Sequence, residues 1–181
     1  MGLRRTVPPL DEPRLNELAV RYVGRFATTR AKLRAYLQRK IRERGWAEDP
    51  APDLEAIANR FSDLGYIDDA GFALAKSRAL TGRGYGKRRV VEALRVAGVD
   101  DADGETARDH ADTEAVAAAL RFAERRRIGP FAQTFSKDPV EREKALAAMV
   151  RAGHGFGLSK LILGLTPGSE IDPEELADHL A

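Results

Sequence analysis

Glycine stands where three helix-spaced runs of apolar residues stop, and no stretch alternates apolar and polar residues for long enough to build a convincing strand. Leu33, Tyr36, Leu37 and Ile41 lead to Gly45; Leu54, Ile57, Ala58, Phe61 and Leu64 lead to Gly65; Val90, Val91, Leu94 and Ala97 lead to Gly98. Spacings of three and four put each set on one helical face. Glycine then takes the left-handed turn that ends a helix without a Cβ penalty. An earlier stripe runs through Leu15, Leu18, Ala19, Tyr22 and Phe26. The helix openings are as regular: Asp11-Glu12-Pro13, Thr28-Thr29, Asp68-Asp69, Asp138-Pro139-Val140-Glu141 and Asp172-Pro173. Each offers a side-chain oxygen to free helical N–H groups, and proline suits an early helical position. The pattern predicts an all-α chain of about nine short helices. The helix after Asp69 is expected to bury Phe72, Ala75 and Ala79.

The stops also line up with one another. Setting Gly45 over Gly98 puts Arg34 over Lys87, Leu37 over Val90 and Ile41 over Leu94. Setting Gly86 over Gly157 pairs Val90 with Leu161 and Leu94 with Leu165. The unit this implies is three helices, and neighbouring units would stack into an elongated array, because short helices cannot bury their faces alone. Expected boundaries are an arm over 1–10, units over 11–64, 65–127 and 138–165, and an acidic tail or short helix over 166–181. Residues 100–109, acidic and poor in apolar side chains, read as a loop of the second unit.

Composition narrows the chemistry. There is no cysteine in the 181 residues, so disulfides, thiolate catalysis and cysteine-ligated metals are excluded. No apolar run is long enough to cross a bilayer, and MGLRRTVPPLDEP lacks the apolar core of a secretory signal. A soluble, cytoplasmic protein is expected. Net charge is only +2, but it is unevenly spread. Arg25, Arg30, Lys32, Arg34, Arg39, Lys40, Arg42 and Arg44 are opposed in their segment by Glu43 alone, while Asp100, Asp101, Asp103, Glu105, Asp109, Asp112 and Glu114 crowd another. Blocks of one sign point to charged macromolecular partners, although helix surfaces are charged in any case.

No catalytic constellation stands out in the sequence. His110, His154 and His179 lie far apart without metal-ligand spacing and read as surface or helix-end residues. Gly82-Arg83-Gly84-Tyr85-Gly86-Lys87 has the wrong glycine spacing for a nucleotide-phosphate loop and follows a helix. Asp68 and Asp69 sit where a cap is wanted. What remains is a basic loop. Arg83, Lys87, Arg88 and Arg89 lie at or beside a helix start, where backbone N–H groups also attract anions, and Tyr85 sits among them. Arg125, Arg126 and Arg127 stand at a helix C-terminus, where the helix dipole alone accounts for cations.

At these residues the chain resembles the RecX family of regulatory proteins. The carrying motifs are Leu64-Gly65-Tyr66-Ile67-Asp68-Asp69, Phe72-Ala73, Arg78, Gly84 and Gly86 before Arg88-Arg89, Val90 to Leu94, and Gly98-Val99. In the first unit Leu33, Leu37, Arg39, Lys40 and Gly45-Trp46 also match. The resemblance implies tandem three-helix repeats in a curved modular array. It implies a non-enzymatic protein that binds the RecA filament and inhibits ATP hydrolysis, coprotease action and strand exchange, modulating recombinational repair and the SOS response. No cofactor, metal or catalytic residue comes with it, and a monomer is expected. The surface expected to bind is Arg83, Tyr85, Lys87, Arg88 and Arg89, then Arg34, Arg39 and Lys40. The alternative is a helical module that binds single- or double-stranded DNA directly, without RecA. The chain departs from the family pattern at Gly71, in the first turn of its helix, at the acidic insertion 100–109, and in the turn Gly153 to Gly157.

Overall fold

The computed structural model describes residues 8–178. Within them the chain is all-α, with ten α-helices and one 3-10 turn. The helices are α1 (Glu12–Val23), α2 (Arg30–Arg44), α3 (Leu54–Asp63), α4 (Asp69–Gly82), α5 (Lys87–Ala97), α6 (Glu105–Thr113), α7 (Ala115–Arg126), α8 (Pro139–Arg151), α9 (Phe156–Gly164) and α10 (Pro173–Asp178); the 3-10 turn is Gly129–Phe131. Among the described residues the sole extended pairing is a one-residue bridge between Leu10 and Trp46.

Two compact units divide the chain. One runs up to Phe72 and takes in Ala97–Val99; the other comprises Ala73–Val96 and the residues from Asp100 onward.

The first unit is built on α1, α2 and α3. Leu10, Leu15, Ala19, Leu33, Leu37, Ala58, Phe61 and Ile67 form its core, with Tyr22 and Tyr36 stacked at its edge, ring centroids 4.3 Å apart. Each fully buried leucine contributes about 1.5–3 kcal/mol relative to an exposed one. The capping residues hold as the sequence predicts. Asp11 accepts from the Arg14 N–H, and Thr29 from the Lys32 N–H at 3.2 Å. Thr29 also donates to the Ala97 carbonyl at 2.6 Å, so one hydroxyl caps α2 and ties down residues 97–99. At the helix after Tyr66-Ile67 the two aspartates separate: Asp68 caps through the Gly71 N–H at 2.8 Å. Asp69 is buried and accepts from the backbone N–H of Arg30 at 3.0 Å and from its Nε at 2.9 Å. A carboxylate there also faces the positive end of α2. At Gly71 a Cβ would meet the Asp68 carboxylate, the movable end of a side chain.

Several apolar assignments change. Phe26 lies beyond the end of α1 and is 59% exposed; Leu64 is 64% exposed, past the last turn of α3. Leu10 is fully buried, its N–H bonded to Gly45 O and its carbonyl to Ala47 N–H, so the expected arm ends before it; residues 1–7 lie outside the described residues.

The second unit packs Val116, Ala119, Phe122 and Ala123 of α7 against Met149 and Ala152 at the end of α8, Leu158 and Ile162 of α9, and Leu176 of α10. Asp138 and Asp172 cap α8 and α10 as expected. Part of the predicted acidic loop is helix: α6 begins at Glu105 and buries Ala107 and Ala111. Those alanines, four apart, were the signal for a helix inside an acidic segment. On α4 the buried residues are Ala73, Ser77 and Thr81, while Ala75 and Ala79 are exposed and Phe72 is half-buried. The polar pair is tolerated because each hydroxyl is bonded, Ser77 to the Ala107 carbonyl at 2.7 Å and Thr81 to the Ser77 carbonyl at 3.1 Å. On α9 the expected apolar residues Leu158 and Ile162 are buried and Leu161 is half-buried, as is Leu165 just past the helix end.

Candidate partner interface

The basic loop and its surroundings lie in the second unit. Its position is set by a close approach of two backbones. Gly86 N–H donates to the Ala152 carbonyl at 3.0 Å, and Arg88 N–H to the Gly153 carbonyl at 3.2 Å. A Cβ on Gly86 would stand 2.5 Å from the Gly153 carbonyl carbon, and one on Gly153 would stand 2.6 Å from the Arg89 nitrogen. Gly84, with φ +78°, turns the chain beneath α7, where a Cβ would meet the Phe122 nitrogen at 2.9 Å.

His154 completes this junction. It is 2% exposed, its Nε2–H donates to the Gly84 carbonyl at 3.1 Å, and its ring tilts against Phe122 with centroids 5.5 Å apart. Burial holds its pKa below the usual histidine value, only partly offset by the bond to Gly84. His154 does stand at a helix end, its N–H closing α8 on the Met149 carbonyl at 3.2 Å, but the expectation of a surface position is corrected. The ring is a buried fastener between the turn before α5 and the turn before α9.

The expected surface residues divide by environment. Arg83, Arg88 and Arg89 are exposed. Tyr85 is half-buried against the unit's own core, with the Arg83 guanidinium 5.7 Å from its ring centroid, so it is part of the wall. Lys87 is paired with Asp112. In the first unit Arg34 is paired with Glu55, and Arg39 and Lys40 both face Glu43, at 3.6 and 2.6 Å. The hydrogen bond from Lys40 holds the Glu43 carboxyl below its ordinary pKa. The basic block of α2 is thus partly internally neutralised.

The strongest feature leaves no mark in the sequence pattern. A groove of about 690 Å³ is lined by Arg83, Tyr85, Phe122, Arg125, Arg126 and Arg151, floored by Ala148 and Ala152. Arg125 donates to the Arg83 carbonyl. The Arg125 and Arg126 guanidiniums stand 5.6 and 5.7 Å from the Phe122 ring centroid. The helix dipole explains why arginines are tolerated at the end of α7, but it does not bring them to Arg83. The long-range return of α7 and α8 does, and spacing along the chain carries no sign of it. Among the described residues no group of three or more His, Asp or Glu side chains is placed to hold a metal ion. No described helix is long and apolar enough to cross a membrane.

No family model matches the chain. Individual relatives do. The regulatory protein RecX of Thermobifida fusca (strain YX) is 34% identical over 149 residues, covering 81% of this chain and 75% of that protein. The regulatory protein RecX of Myxococcus xanthus (strain DK1622) is 29% identical over 164 residues, covering 84% and 86%. That of Mycobacterium sp. (strain KMS) is 40% identical over 95 residues, so the match spans 51% of this chain and 50% of that relative. The crystal structure of RecX from Lactobacillus salivarius shares the fold, with a TM-score of 0.59 over 83% of this chain and 93% of that one, at 18% identity. The Thermobifida match covers most of both chains and includes enough identity to fix descent: the chain belongs to the RecX family of regulatory proteins.

Proposed function

We propose that this protein regulates RecA by binding its nucleoprotein filament, restraining ATP hydrolysis, coprotease action and strand exchange, and so modulating recombinational repair and the SOS response. It acts by binding, as a cytoplasmic monomer without cofactor, and its helices serve as tandem three-helix repeats. The observation that carries this reading is the 34% identity over 149 residues with a regulatory protein RecX. The proposed contacts are Arg83, Tyr85, Lys87, Arg88 and Arg89 in the second unit, with Arg34, Arg39 and Lys40 in the first. Arg88 and Arg89, exposed in the first turn of α5, are the ones most available to an acidic partner surface. Three cations in a first helical turn disfavour the isolated helix by a few tenths of a kcal/mol each, a cost that a negative partner offsets.

The test is RecA's DNA-dependent ATPase with the purified protein added at stoichiometric amounts. Inhibition is expected; unchanged turnover refutes the reading. Direct action on DNA makes a different prediction, tight binding in the absence of RecA that weakens steeply with salt. DNA binding measured with and without RecA at two salt concentrations separates the two.

A further inference from the structure

The groove of the second unit carries four guanidiniums, from Arg83, Arg125, Arg126 and Arg151, and none of its lining residues is acidic. Its volume lies within the roughly 300–1,000 Å³ of specific ligand pockets. One arginine is already fixed, since Arg125 is bonded to the Arg83 carbonyl. A side chain held before a ligand arrives loses less freedom on binding.

The aromatic residues decide which anion fits. A nucleobase needs a free aromatic face on which to stack. Phe122 is 4% exposed and lies within reach of two guanidiniums; Tyr85 is half-buried, with a third beside it. The buried Phe122 ring therefore steadies two arginines and offers no stacking platform, and Arg83 shares the partly exposed Tyr85 ring. What remains is a set of forked N–H donors, suited to bidentate bonds with carboxylates. The small side chains of Ala148 and Ala152 leave room for an extended backbone along the floor.

We propose that this groove is a docking site for an acidic polypeptide segment, rich in Asp and Glu, of a partner protein. The inference stands on the groove alone, whichever protein supplies the segment.

The experiment is fluorescence anisotropy on the full chain, with a fluorescein-labelled decapeptide of alternating Glu and Gly and, in parallel, labelled dT10. Arg126 and Arg151 are exposed, so the double variant Arg126→Ala/Arg151→Ala should keep its fold, checked by the urea midpoint. The peptide is expected to bind, and to bind at least tenfold more weakly to that double variant. The single variant Arg126→Glu gives the same direction through one side chain, and Lys144→Ala, on α8 but outside the groove, is expected to leave binding unchanged. Absence of peptide binding, equal binding by the variants, or a dT10 affinity above the peptide's that falls in the double variant each overturns the proposal. The last outcome would make the groove a nucleic-acid site. No RecA is present in this assay, so its failure is distinct from failure of the ATPase test.

Discussion

Replacing Gly86 by alanine tests the junction that positions the basic loop. The new methyl would stand 2.5 Å from the Gly153 carbonyl carbon and 2.6 Å from the His154 nitrogen, against 3.4 Å for ordinary contact. The two turns would have to separate by about 0.9 Å. Both obstructing atoms are backbone, so no rotamer change relieves the clash. Overpacking of this kind costs about 1–3 kcal/mol. The separation also strains the bonds from Gly86 to Ala152 and from Arg88 to Gly153, each worth about 1 kcal/mol net. The expected loss is therefore about 3–5 kcal/mol, a large share of the roughly 5–15 kcal/mol that stabilises a domain. Gly155→Ala is the matched control, because nothing lies within 4 Å of its Cβ direction and its φ is −64°. Urea unfolding followed by far-UV circular dichroism compares them. With a slope of about 1–3 kcal/mol per molar urea, Gly86→Ala should lower the midpoint by 1 M or more relative to Gly155→Ala. Equal midpoints would refute the reasoning and mean that the turns are looser than their close approach implies.

Two further outcomes follow from buried polar groups. His154 has its pKa lowered by burial, so the unfolded chain binds the proton more readily. Its contribution is fully present above the unfolded value of about 6.5 and is lost as pH falls through it toward the lower folded value. Urea midpoints at pH 7.5 and 5 should show this loss, and His154→Gln should reduce the pH dependence. Asp69→Ala removes the carboxylate that receives both the Arg30 backbone N–H and its Nε, and should cost about 2–3 kcal/mol by the same urea assay.

The legible part of this fold is its punctuation. Asp11, Thr29, Asp138 and Asp172 can be read as caps because the capping bond is local, closing within three residues. The stops at Gly45, Gly65 and Gly98 can be read because a positive φ selects glycine. The face of α4 could not. Its alanines lie on both sides, and what decides the matter is whether Ser77 finds a partner, which Ala107 supplies thirty residues on. The same holds for the site. Arg83 and Tyr85 are visible in a short basic loop. Arg125 and Arg126 have a sufficient local reason to be where they are, and only the packing of α7 and α8 makes them neighbours of that loop. His154 reads as a helix-end residue, which it is, but its burial shows only once the Gly84 carbonyl is placed against it.

The first unit closes on Ala97–Val99, after the chain has passed through Ala73–Val96 of the second. Translation proceeds from the N-terminus, and most domains can fold as they leave the ribosome. Here the hydroxyl of Thr29 must wait for the Ala97 carbonyl, and the turn at Gly98 must reach Ala31, where a Cβ would collide with that alanine's methyl. The first three helices are thus synthesised some thirty residues before their last partner exists. A fragment cut at Phe72 would carry them permanently in that unfinished state.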